Sequence, residues 1–108
     1  MVEQDSIFSL STLRGDLNMP NNIQINSCFP NPFNSSATIH YETAYPSDVS
    51  LKISALNGAQ VFENLFAQQT IGQHEFRWQP ENHISSGIYF LSLSSYGSIV
   101  SRKLLLIK

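Results

Sequence analysis

The chain has 108 residues, a length that suits one domain with one modest core. Charged residues make up only 13%, the formal net charge is −2 and 11% of residues are aromatic, a balance that argues against wholesale disorder. Six Lys and Arg are too few for the phosphate-neutralising stripe of a nucleic-acid binder, and no apolar run approaches the roughly 20 residues that span a bilayer.

In chain order, Met1 to Asp16 carries Glu3, Asp5 and Asp16 and lacks a basic segment followed by an apolar stretch, so it does not read as a signal peptide. If the protein is exported, this chain is expected to be the C-terminal part of a longer precursor. Ile7, Phe8, Leu10 and Leu13 form a short apolar series, followed by the breaker-rich run from Gly15 to Asn22. Residues 1–22 therefore read as an arm and linker from a preceding region, and residues 23–108 as the domain. The linker is also the natural place for cleavage.

From Ile23 onward, seven runs of period-two or β-branched character are separated by turn residues. They are approximately Ile23 to Cys28, Ala37 to Thr43, Val49 to Ala55, Gln60 to Ala67, Gly72 to Gln79, Gly87 to Ser94 and Ser98 to Lys108. Pro30, Pro32 and Asn34 punctuate the first connector, Pro46-Ser47-Asp48 the second and Pro80-Glu81-Asn82 the fifth. Asn57-Gly58 predicts a type I′ hairpin turn with positive φ at both residues. Alternation assigns Ile39 and Tyr41, then Val49, Leu51 and Ile53, then Phe76 and Trp78, then Tyr89, Leu91 and Leu93 to the buried face. No stretch has a 3.6-residue apolar period. The expected fold is an all-β, seven-stranded antiparallel sandwich of immunoglobulin-like or fibronectin type III-like form.

Chemistry-bearing residues are sparse. His40, His74 and His83 lack metal-ligand pairing, so no metal or cofactor is expected, and His74 shares its alternation with Phe76 and Trp78, as a core imidazole would. A single cysteine, Cys28, excludes an intrachain disulfide and reads as a small buried hydrophobe. There is no Gly-x-Ser-x-Gly elbow and no glycine-rich phosphate loop, so an enzyme is not expected.

Several segments form an ordered series: Phe29-Pro30-Asn31-Pro32-Phe33-Asn34, Thr38-Ile39-His40-Tyr41, Val49 to Ile53 closing on Asn57-Gly58, Ser86-Gly87-Ile88-Tyr89 and Lys103-Leu104-Leu105-Leu106-Ile107-Lys108. The series resembles the type A C-terminal sorting domain of the type IX secretion system. Departures are Phe29 where the family often has Tyr, Ser35 where it has Pro, and Ala55, Leu56 and Ala59 around the Asn57-Gly58 turn. The resemblance implies a non-catalytic label at the C-terminus of a larger exported protein. The label is read in the periplasm by the outer-membrane type IX machinery and removed by a sortase-like protease, leaving the cargo extracellular or at the cell surface. A monomer is expected.

Within that frame, Pro30 and Pro32 make a stiff bridge that delivers Phe33 to the core, either closing one end of the sandwich or contacting the translocon. Gly87 permits a tight approach before Tyr89, whose hydroxyl is expected to tie back to the backbone as in a tyrosine corner. Leu104, Leu105, Leu106 and Ile107 make the last run apolar on both faces, flanked by Arg102, Lys103 and Lys108. This strand is the candidate for translocon recognition; the alternative is an edge guarded by lysines against aggregation. A second function class is a carbohydrate-binding or adhesive module, with Trp78, Tyr45, Tyr96 or Phe62 as stacking platforms, although alternation puts Trp78 inside.

Overall fold

The structure, a computed structural model, describes residues 22–108. The expected arm and nearly all of the linker, residues 1–21, lie outside the described residues. The strands run β1 (Ile23–Phe29), β2 (Ala37–Thr43), β3 (Ser47–Ala55), β4 (Gln60–Gln69), β5 (Gly72–Trp78), β6 (Gly87–Ser95) and β7 (Ser98–Leu106). They form a three-stranded sheet, β1-β2-β5, and a four-stranded sheet, β4-β3-β6-β7, with every strand pair antiparallel. This is the expected all-β sandwich.

Alternation explains the core. Ile39 and Tyr41 of β2 face Val49, Leu51 and Ile53 of β3 and Leu91 and Leu93 of β6 between the sheets, all almost inaccessible to solvent. Full burial of each such side chain stabilises the fold by roughly 1.5–3 kcal/mol. The β4 strand has no fully buried residue, and the open side between β4 and β5 is closed by rings instead. Phe62 and Phe66 lie 5.7 Å and 5.3 Å from Phe76, and Tyr41 stacks on both Phe66 and His74. His74 is thus half-buried, with Nε2 2.7 Å from the Thr70 carbonyl oxygen.

The Asn57-Gly58 turn differs from the type I′ expectation. Gly58 has φ of +92°, but Asn57 is not among the residues with positive φ. The Gly58 N–H donates to the Ala55 carbonyl, the Ala59 N–H donates to Asn57 Oδ1 and the Ala55 N–H donates to the Ala59 carbonyl. The result is a three-residue loop in which a type I turn is completed by a left-handed glycine, the other common hairpin solution. Asn57 serves as an acceptor rather than as a second left-handed residue.

Strand directions define two poles. The tail pole gathers the ends of β1, β3, β5 and β7 and the starts of β2, β4 and β6; the N-terminal pole gathers the opposite ends. Asn22, counted with the linker on sequence grounds, is completely buried at the N-terminal pole. Its Nδ2 donates to the Ser47 and Ser95 hydroxyls, its Oδ1 accepts from the Tyr45 N–H and its carbonyl accepts from the Ala44 N–H. Asn22 therefore belongs to the folded body although the apolar pattern does not include it, because a buried polar anchor leaves no hydrophobic signal.

Candidate functional site

Every residue of the sorting-motif series singled out as a site sits at or near the tail pole. Pro30 and Pro32 both follow cis peptide bonds. The loop they form carries Phe29 to a largely exposed position and Phe33 into the core, 2% exposed and 5.7 Å from the Trp78 ring. Trp78 in turn packs edge-on against Tyr89 at 5.9 Å. The Tyr89 hydroxyl donates to the Ser85 carbonyl oxygen at 2.6 Å, the geometry of a tyrosine corner. Gly87, which opens that strand, has φ of +156°, a value that side chains with a Cβ rarely adopt.

The two ends of the sequence series meet directly. Asn31 Nδ2 donates to the Lys103 carbonyl at 2.9 Å while its Oδ1 accepts from the Leu105 N–H at 3.0 Å. The Phe33 N–H donates to the Leu105 carbonyl and the Phe33 carbonyl accepts from the Ile107 N–H, both at 2.9 Å, in a short parallel bridge. Asn34 Nδ2 then donates to the Ile107 carbonyl. Asn31 imitates a peptide group, so the loop acts as a short extra strand on the outer edge of β7. Every edge-facing backbone group from the Lys103 carbonyl to the Ile107 carbonyl is satisfied.

The tail itself is divided. Leu104 and Leu106 point inward and are 0% and 1% exposed, so the strand is not apolar toward a receptor on both faces. Leu105 is half-buried, Ile107 is 50% exposed, and Lys103 and Lys108 are exposed. The Lys108 N–H donates to the Ser86 hydroxyl, and its ammonium donates to the Glu81 and Asn82 carbonyls, tying the chain end to the β5–β6 connection. Only Lys103, Leu105, Ile107 and Lys108 can be read from outside. A truncation through Leu104 would remove core residues together with any recognition element.

Sequence reasoning passed over Ile88 and Phe90, which are 36% and 39% exposed on the outward face of β6. Their signal was present: once Tyr89, Leu91 and Leu93 face inward, the residues between them face out, and two of those are large and apolar. Asn22 was missed as well, for the reason given above.

Chemically the pole offers amides, backbone groups, lysines and apolar surface. Among the described residues no three His, Cys, Asp or Glu side chains gather in a way that could hold a metal. Burial pushes the Cys28 thiol above its usual range, with the Arg102 guanidinium opposing in part, which favours the unreactive protonated form. Two of the aromatic platforms proposed for sugar stacking are not available for it: Trp78 is buried and Phe62 packs on Phe76. Tyr45 and Tyr96 are exposed at the opposite pole, where the Tyr96 hydroxyl donates to the Pro46 carbonyl.

The sequence profile of the secretion system C-terminal sorting domain matches residues 27–108, from just before the proline loop to the last residue. The chain belongs to this family. It carries a type IX sorting domain, a C-terminal signal for export by that system to the cell surface or the extracellular space. No curated protein matches the sequence. Among solved structures, the sorting domain is similar to the crystal structure of the C-terminal domain of wzt, with 13% identity and a TM-score of 0.51 over 81% of this chain and 74% of that one. At that identity the likeness concerns the sandwich fold alone.

Proposed function

We propose that this sorting domain works as a non-catalytic, monomeric label for whatever precedes it. Cargo and label cross the periplasm together, and the tail pole is presented to the outer-membrane machinery. A sortase-like protease then cuts upstream of the buried Asn22, within residues 15–21. Residues 1–22 serve as arm and linker in this reading, except that Asn22 itself is held in the body. The carrying observation is the clamp from Asn31 and Phe33 to Lys103, Leu105 and Ile107. It unites the two halves of the sequence series into one rigid unit, at the pole opposite the point where the chain enters.

The test is export of a reporter. With Met1 to Lys108 fused behind a periplasmic reporter, a host with the type IX machinery should place the reporter in the medium or on the surface. A strain lacking the translocon should retain it in the periplasm. Equal retention in both strains would refute the function proposed.

A further inference from the structure

We infer that the secretion machinery docks on the outward face of the β6–β7 hairpin, where Leu56, Ile88, Phe90, Leu105 and Ile107 enter an apolar, acidic-rimmed protein surface. This rests on the sorting function, and it excludes the other obvious mode at this pole, strand addition to the tail end of β7. The strand-addition mode needs free backbone groups along an edge. On β7 those groups, from Lys103 to Ile107, are already taken by Asn31, Phe33 and Asn34. A receptor arriving at this pole meets side chains.

The side chains there are unusual for a solvent-facing sheet. Ile88 pairs with Leu105, and Phe90 lies between Lys103 and Ser54 in register across β7, β6 and β3. Leu56, 69% exposed in the neighbouring hairpin turn, joins Ile88 across a shallow depression of about 300 Å³. By contrast, the outward face of the other sheet carries His40, Glu42, Gln73, Glu75 and Arg77. Contiguous exposed apolar side chains rimmed by polar ones mark interaction surfaces.

Charge selects the partner. All three lysines of the sequence, Lys52, Lys103 and Lys108, border this face. Of the carboxylates on this sheet's outward side, Glu63 sits opposite Lys52 in register and Asp48 lies at the far pole beside Gln68, and the Lys103 ammonium has no ion pair among the described residues. A complementary surface is therefore apolar at its centre and acidic at its rim. Three lysines supply too little positive charge to hold the domain on an anionic leaflet, which favours a protein over a lipid surface.

The experiment uses the full chain fused to a periplasmic reporter in a host with the type IX machinery. Ile88→Ser with Phe90→Ser keeps the inward face intact, and its folding is checked by the urea midpoint. Export should fall on the order of tenfold or more, as expected when central interface anchors are truncated. Lys103→Glu should lower it by a smaller factor, whereas His40→Ser with Gln73→Ser on the opposite face should leave it unchanged. Wild-type export by the folded double variant would overturn the inference, as would an increase on Asn31→Ala, which opens the β7 edge. Binding of the wild-type domain to vesicles containing phosphatidylglycerol, lost in the double variant, would also overturn it by making lipid the partner. If the double variant does not fold, Lys103→Glu decides: unchanged export refutes the docking face. Failure of the unmodified fusion to leave the periplasm would instead sink the sorting function, and the inference with it.

Discussion

At the tail pole the most enclosed groups are apolar: Phe33, Trp78, Tyr89, Leu104 and Leu106 pack within one core. At the N-terminal pole, beside Ile23 and Val49, gather all the buried polar groups of the described residues: Asn22, Thr43, Ser47 and Ser95. The difference separates two jobs. Apolar burial is non-directional and strong, so the tail pole can hold its shape while its outer surface varies. A buried amide and two hydroxyls work only in one arrangement, so the N-terminal pole sets the path by which the chain enters the body.

The sharpest way to break this comparison is Phe33→Ala, which empties a buried ring site between Trp78 and the tail. It should cost about 3–5 kcal/mol, measured as a fall in the urea midpoint with unchanged slope, and it should loosen β7 with it. Asn22→Ala should cost less, about 2 kcal/mol. It leaves the Tyr45 N–H without its acceptor and the Ser47 and Ser95 hydroxyls with only each other. An outcome in which Asn22→Ala is neutral would show that the N-terminal pole is not held by its polar network.

Smaller effects sharpen the picture. Asn31→Ala removes two exposed hydrogen bonds that water can replace, so the loss should be about 1 kcal/mol. Hydrogen exchange should nevertheless quicken at the Leu105 amide and stay unchanged at Leu91 in the core. The smallest effect is expected with pH. The folded state raises the Cys28 thiol above 9.0 by burial, so the stability linked to its protonated form is complete below that value and is lost as pH rises past it. Tyr41, raised by burial above 10.0, adds a second alkaline loss. Cys28→Ala should flatten only the first step in a plot of urea midpoint against pH.

Much of the fold was legible because strand alternation is local: a residue and its neighbour two positions on declare a face without reference to the rest of the chain. All seven runs could be placed within two residues of their strand ends for that reason, the terminal run overshooting by Ile107 and Lys108. The site was legible as a set of segments but not as an object. Nothing local to Asn31 announces that its side chain will cap Lys103 and Leu105, 72 and 74 residues away. Likewise, the run Leu104 to Ile107 reads as uniformly apolar until packing divides it into an inner pair and an outer pair.

By itself, the sequence determined the strand positions, the inward faces, the all-β character of the described residues and, through its ordered motifs, the sorting-domain family. Those features depend on side-chain periodicity and turn chemistry, which act over a few residues. Tertiary structure alone decided that the proline loop seals the edge of β7, that Asn22 belongs to the body, and that Ile88, Phe90 and Ile107 share an outward face. Each of these depends on which distant backbone groups end up unpaired and which face of each sheet meets the other, and chain closure settles both.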